Sequence, residues 1–225
     1  MEVSYKVKHR SVKYPRLEFR GLTLQVILPK EMKDAKELLK KREKWIMEKW
    51  NVIQQALKEV AATNEFAIFG EQYRVQNQTG RPGIDFVEKT IRMQIRNENH
   101  RKLIRQQLKD LLARKLRNIV EEYAGKTRLT PNKIAIRQQK TKWGSCSNRG
   151  NISFNLKLVC LPEQIIRYIV LHEILHLKHK KHTALFWEEM AEEFPQYKEM
   201  EKNLLKQWFY TEKLFENIVF RKCAR

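Results

Sequence analysis

Residues 171–176 have the sequence LHEILH, and they lie in a largely apolar run that begins at Ile165. Residues four positions apart share one face of an α-helix, so a helix here places His172 and His176 side by side. Glu173 lies about 100° further round that helix, where it can reach a molecule held between the two imidazoles. Apolar neighbours predict a core helix, and a core rarely holds two histidines and a glutamate without a use for them.

The spacing H-E-x-x-H is typical of zinc hydrolases, in which both histidines bind the ion and the glutamate is the general base. Three protein ligands leave a fourth position for water, whose pKa the ion lowers toward ~7. We therefore predict one Zn²⁺ ion on His172 and His176, with Glu173 taking the proton and passing it to the leaving amine. Zinc is favoured by imidazole ligands, although Ni²⁺, Co²⁺ or Mn²⁺ can occupy such a site in vitro.

The third protein ligand has several candidates. His182 has the spacing of the last histidine in H-E-x-x-H-x-x-G-x-x-H. His179 stands at the glycine position of that pattern, and seven residues of helix would keep it on the face of His172. A carboxylate from the next helix, Glu188 or Glu189, is a further arrangement. His182 lies beyond the predicted end of the helix, where the chain can turn back toward the metal, and this favours His182 as the third ligand.

Charge and composition describe a folded, strongly basic chain. Of its 225 residues 42% are hydrophobic, which is sufficient for a sizeable core. The formal net charge is +20, from 46 basic and 26 acidic residues. This excess favours anionic partners such as nucleic acid, although a well-solvated surface explains it equally well.

Cysteine use and the apolar pattern predict a cytoplasmic protein. Cys146, Cys160 and Cys223 form no CxxC pair, which fits a reducing compartment. Charges are spread through the first 19 residues, so we expect no signal peptide. No run approaches the ~18 apolar residues of a membrane-spanning helix, and we expect no membrane partner. Nothing in the pattern indicates an oligomeric state.

Hydrophobic periodicity predicts the order strands, helix, strands, helix, strands and then helices, which is typical of an α+β fold. Alternation over residues 3–28 predicts strands with a turn at Gly21, and three- and four-residue spacing predicts a helix over 31–62. A second long helix is predicted over 98–124, with Gly125 as its C-cap.

A change of pattern near Asn97 suggests two domains. Residues 1–97 would form a β-rich N-terminal module with one long helix. Residues 98–225 would form the metal-binding half with a helical tail. The tail from residue 211 onwards has no functional assignment.

Several segments resemble one family. WGSCS at 143–147, GNISFNL at 150–156, YIVLHEILH at 168–176 and His182 followed by FW at 186–187 are similar to the YgjP-like metallopeptidases, relatives of the SprT/WSS-type zincins. The resemblance implies a zincin-like C-terminal half, in which an active-site helix packs on a small antiparallel sheet. It also implies a protein or peptide substrate.

The resemblance further implies residue roles. Zinc ligands would be His172, His176 and His182, with Glu173 as the base. Several relatives in the wider group cleave proteins crosslinked to DNA, which suggests nucleic acid as a partner.

Further residues near the motif are candidates for substrate binding: Trp143, Gly144, Ser145, Cys146, Asn155, Tyr168 and His179. Residues 143–147 can form a strand edge that pairs with an extended peptide, while Trp143 fits a core position as well. Cys146 is either a fourth metal ligand in a latent state or a small buried residue. Asn155 can satisfy backbone groups near the site, and Tyr168 either lines the site or only packs.

Three functions follow from these patterns. The first is a zinc metallopeptidase, because a purely structural metal site has no use for Glu173. The second is a basic nucleic-acid-associated protein with a structural metal, or a DNA- or RNA-associated protease that combines both roles. The third is a metal hydrolase that acts on another amide or ester, since the chemistry alone does not choose the substrate.

Overall fold

The computed structural model describes residues 3–61 and 65–218, and the chain divides into two compact units, Met1–Ala61 and Ala62–Arg225. The strands of the first unit are β1 (Tyr5–Arg10), β2 (Arg16–Arg20) and β3 (Thr23–Pro29), and its helices are α1 (Lys36–Lys41) and α2 (Glu43–Ala61). β3 lies between the other two strands, parallel to β1 and antiparallel to β2. Gly21, with φ of 55°, makes the predicted turn between β2 and β3.

The second unit contains two sheets and four helices within its described residues. Its first sheet consists of β4 (Glu65–Ile68), β5 (Glu71–Asn77), β6 (Gly83–Asp85) and β7 (Thr90–Met93), in the order β4-β5-β7-β6. Its second sheet consists of β8 (Lys133–Arg137), β9 (Gly144–Cys146) and β10 (Asn151–Asn155), in the order β8-β10-β9. The helices are α3 (Glu98–Thr127), α4 (Glu163–Leu175), α5 (Ala184–Glu193) and α6 (Tyr197–Ile218), and a 3-10 helix spans Leu156–Cys160.

The long helix α3 forms the base on which α4 packs. Its buried stripe repeats every three or four residues and includes Ile104, Leu108, Leu112 and Leu116. Asn97 caps its start by accepting hydrogen bonds from two backbone amides. The C-cap predicted at Gly125 is wrong, because the helix runs through this residue to Thr127 and ends at Arg128, whose φ is 58°.

The second sheet places β9 against α4. Its central strand β10 is buried, and Phe154, with no exposed surface, pairs across the sheet with Gly144. β9 in turn contacts α4, so the residues of this short strand lie beside the H-E-x-x-H helix.

The predicted α+β class and the predicted order of elements are confirmed. The small sheet is mixed, since β10 is antiparallel to β9 but parallel to β8. The two compact units also differ from the predicted division at residue 97. Phe69 donates its amide to Val159 over 2.7 Å, and the rings of Phe66 and Phe215 lie 5.5 Å apart, so the first sheet of the second unit packs with the C-terminal helices.

Residues from 211 onwards continue α6 as far as Ile218, and residues 219–225, with Cys223, lie outside the described part of the chain. None of the described helices combines the length and apolar character needed to cross a bilayer.

Candidate metal centre

Three histidine side chains converge beside α4. His172 lies in the last turn of the helix, His176 is its C-cap residue, and His182 lies in the segment before α5. One ring nitrogen from each lies within 4.8 Å of the others, and the Nε2 atoms of His172 and His182 are 2.9 Å apart. This separation suits three nitrogens that share one ion, because each Zn–N bond measures about 2.0–2.1 Å.

Aromatic residues of α5 hold the three imidazoles in place. Phe186 is fully buried and its ring centroid lies 4.8–5.1 Å from those of all three histidines. Trp187 stacks on His182 at 5.5 Å and on Tyr197 of α6 at 4.8 Å. The third histidine, which stands outside any helix, is thereby fixed by packing.

A backbone carbonyl sets the tautomer of His176. Its Nδ1 lies 2.8 Å from the carbonyl oxygen of His179, and because a carbonyl only accepts, Nδ1 carries the proton. The lone pair is then on Nε2, as a metal ligand requires. The ring of His179 instead lies 2.8 Å from Glu189, which also pairs with Lys178. Of the candidates for the third position, the structure brings His182 into the cluster and not His179 or Glu189.

Burial favours the neutral form of two of these imidazoles. It lowers the pKa of His172 to about 3, together with the nearby His176 and His182, and it lowers the pKa of His182 as well. A neutral imidazole is the form that binds a metal, and the convergence of the three rings fits a divalent ion such as Zn²⁺.

Glu173 is buried beside the histidines. Burial raises the pKa of its carboxyl to about 7, against the opposing charge of Lys142. Its Oε2 has no hydrogen-bond partner within the described part of the chain. A buried polar atom of this kind indicates that a partner, such as water or a substrate group, binds there.

The backbone of β9 passes directly over this carboxylate. A Cβ atom built on Gly144 would lie 2.6 Å from both Cγ and Oε1 of Glu173. Only glycine leaves the room that the glutamate side chain occupies. The glycine of the WGSCS segment therefore has a defined structural role.

These residues surround a cavity of about 310 Å³. Its lining residues are Lys142, Gly144, Ser145, Cys146, Asn148, His172, Glu173, His176, Lys180 and His182. Burial raises the pKa of the Cys146 thiol, while the charge of Lys180 lowers it in part. Of the residues predicted to bind substrate, Gly144, Ser145 and Cys146 thus reach the cavity.

The other four predicted residues do not line the cavity. Trp143 packs edge-on against Trp208 of α6 at 4.9 Å. Tyr168 is buried, donates to Glu201 over 2.7 Å and lies 6.2 Å from the His172 ring, so it packs beside this histidine outside the cavity. The remaining two residues contact the backbone or side chains that surround the site. Asn155 donates to the backbone carbonyls of Gln139 and Lys142, and the backbone carbonyl of His179 binds Nδ1 of His176.

Sequence reasoning did not identify Lys142, Asn148 and Lys180 as cavity residues, or Phe186 as the residue that packs under all three histidines. Lysine and asparagine ordinarily occupy solvated surface, so their type gave no signal. The one clue in the sequence was position, because Lys180 follows His176 by four residues. In the structure, Nζ of Lys180 donates to the carbonyl of His176 over 3.0 Å.

Asn155 holds the segment that leads into β9. Its Nδ2 donates to the carbonyls of Gln139 and Lys142, each over 2.8 Å, and its Oδ1 accepts from the amide of Lys157. We expect Asn155→Ala to lower the free energy of unfolding by about 2–4 kcal/mol, because several buried groups lose their partners. Urea denaturation measures this change.

The matched control for this variant is Asn118→Ala, at an exposed position of α3. It should alter the free energy of unfolding by no more than about 0.5 kcal/mol. Equal stability of the two variants would show that the hydrogen bonds of Asn155 contribute nothing to folding.

A cluster of histidines that could hold a metal ion, beside a buried glutamate on an α+β domain, is typical of metal-dependent hydrolases. Comparison with known families gives the narrower class: the YgjP-like, metallopeptidase domain matches residues 13–207, and the chain belongs to this family. The predicted resemblance and the predicted class of metal-dependent peptidase are therefore confirmed.

One solved structure with partial similarity is the crystal structure of the metallopeptidase zymogen of Pyrococcus abyssi abylysin. It is 26% identical over 41% of this chain and 93% of that chain, with a TM-score of 0.38. A search of curated proteins found no significant match.

Proposed function

We propose that this metallopeptidase is a zinc enzyme in which His172, His176 and His182 hold the ion and Glu173 is the general base. One observation carries the proposal: three ring nitrogens within 4.8 Å of one another line the same cavity as a buried glutamate. A structural metal site would need the histidines but not the carboxylate beside them.

The residues of the chain divide the chemistry between them. Bound Zn²⁺ would polarise a substrate carbonyl and make a water molecule more acidic. Oε2 of Glu173 is free to accept a proton from water, and the same carboxyl can deliver it to the leaving amine. The close approach of β9 to Glu173 supports this role, because the strand restricts where the carboxyl group can move.

The position of β9 supports a peptide substrate rather than another amide or ester. β9 pairs only with β10 among the strands that the structure describes, and it lines the cavity from end to end. An extended peptide can add to such an edge through main-chain hydrogen bonds. Pairing of this kind would place a peptide carbonyl beside Glu173 and the histidines.

Metal content tests the ligand assignment. We expect about one zinc per chain in the purified protein, and His182→Ala should lower zinc affinity by more than about 100-fold, since a ligand matters more than its supporting shell. Elemental analysis after dialysis against a graded chelator series measures this loss. Chelation of the wild-type protein should abolish peptidase activity, and added Zn²⁺ should restore it.

The matched control is His179→Ala, which removes a nearby imidazole but keeps the backbone carbonyl that binds His176. It should retain zinc. Loss of zinc from His179→Ala with retention in His182→Ala would overturn the assignment.

A nucleic-acid partner stays a prediction from the net charge of +20. It requires an affinity that falls steeply with salt, because each neutralised phosphate releases counterions. The cytoplasmic location stays a prediction as well.

A further inference from the structure

Two lysines flank the strand that covers the candidate active site. Lys142 precedes β9 by two residues, and its charge acts on Glu173. Lys180 lies by the other end of β9, where its charge acts on Cys146. The strand between them has three residues, so the two ends lie roughly 7–10 Å apart at about 3.3 Å per residue.

The charge balance of the cavity is positive. Glu173 is the one acidic residue among the described residues that line it, while Lys142 and Lys180 both line it. Neither lysine forms an ion pair within residues 3–61 and 65–218, whereas the nearby Lys178 is paired with Glu189. Two ammonium groups therefore share the cavity with a single carboxylate, that of Glu173, which leaves an excess of positive charge.

The position of Lys180 is fixed by the protein itself. Its Nζ donates to the carbonyl of His176 at the end of α4, which holds the charge beside the metal-binding cluster. An anchored charge loses less side-chain entropy on binding a ligand than a free surface lysine does. An anionic group at this end of the cavity would meet a charge that is already in place.

We propose that Lys142 and Lys180 select peptides that carry acidic side chains on two residues separated by one residue, with the bond to be cleaved between them. The proposal rests on the proposed function, since it takes the cavity as the peptidase active site. A peptide paired with β9 presents every second side chain to the same face, about 7 Å apart, so two acidic residues with one residue between them can reach the two lysines. The overall charge of +20 also attracts acidic segments to the protein.

Two labelled peptides test this proposal. They share one sequence, except that two positions with one residue between them, on either side of the central bond, carry Glu in one peptide and Gln in the other. Fluorescence anisotropy with zinc-loaded Glu173→Gln protein measures binding, and cleavage by the zinc-loaded wild-type protein measures kcat/KM. We expect the Glu peptide to be preferred about three- to tenfold in both measurements, and less at high salt.

The decisive variant is Lys142→Gln with Lys180→Gln. Its preference for the Glu peptide should fall to near equality, and because each protein is compared on two peptides, a general change in activity cancels. The control is Lys133→Gln with Lys140→Gln, which removes the same charge from exposed residues outside the cavity. The control should keep the preference.

The outcomes separate this proposal from the proposed function. Equal binding of both peptides by the protein with both lysines intact would overturn the selectivity, whatever the cleavage result. Equal loss of preference in both double variants would also overturn it, because the effect would then come from overall charge. Selective binding without any cleavage would overturn the peptidase assignment and leave the selectivity standing.

Discussion

Glu173→Gln is expected to keep its zinc and to lose peptidase activity by about 10²- to 10⁴-fold, the range in which a general base contributes. Glutamine has nearly the same shape, so it fits beneath Gly144 and leaves the three histidines undisturbed. Its amide cannot take a proton from water. The variant therefore separates the metal site from the chemistry.

The comparison needs kcat/KM on a quenched peptide together with zinc content by elemental analysis. Glu188→Gln is the matched control, because this glutamate is exposed on α5 and lies outside the cavity. It should retain full activity. Full activity of Glu173→Gln would refute the role of Glu173 as the base, and loss of zinc would show that the residue maintains the metal site.

Stability gives an independent check on the same variant. The carboxyl of Glu173 is buried, and its Oε2 lacks a partner among the described residues. Burial of a charge without a partner is costly, so the neutral amide should leave the free energy of unfolding unchanged or higher. Functional residues commonly carry such a cost in stability.

The part of the site that the sequence predicted is the part that local geometry determines. His172 and His176 share a helical face because they are four residues apart, and Glu173 follows from the same helix. The choice of His182 as the third histidine of the cluster required more information, because spacing alone did not exclude His179. That choice depends on α5, where Glu189 binds the ring of His179 and Phe186 packs against His182.

The parts that the sequence left open depend on distant partners. For Trp143 and Tyr168 both a place at the site and a packing role were open, and their contacts, Trp208 and Glu201, lie on α6, more than 30 residues further along the chain. Hydrophobic periodicity within one segment cannot identify contacts between residues that lie so far apart in the sequence.

The topology of the small sheet shows the same limit. A short loop over residues 147–150 joins β9 to β10, and these two strands are antiparallel. β8 joins β10 in parallel after a long connection, and no turn signal in the sequence specifies this pairing.

Gly144→Ala is the second change with a large expected effect. The new methyl carbon would lie 2.6 Å from Cγ and Oε1 of Glu173 and 2.8 Å from Cδ. Carbon atoms pack at about 3.5–4.0 Å, so the carboxylate must move by roughly 1 Å. A displacement of that size can cost about 100-fold in rate, and we expect a loss of at least this order in kcat/KM.

Gly83→Ala is the control, because Gly83 also lies in a strand and its Cβ would meet no atom within 4 Å. It should keep full activity. Zinc content and circular dichroism should be normal in both variants, since Gly144 has no positive φ that alanine would strain. Normal activity in Gly144→Ala would mean that the position of Glu173 beneath β9 is not the reactive one.

The double variant Gly144→Ala/Glu173→Gln distinguishes displacement of the base from a general disturbance of β9. If the alanine acts only by displacing the carboxylate of Glu173, it should cause no further loss of activity once residue 173 is glutamine. The double variant should then be about as active as Glu173→Gln alone, because residues that act as one unit are not additive. A further loss of about 100-fold would instead show that Gly144 contributes through the peptide that pairs with β9.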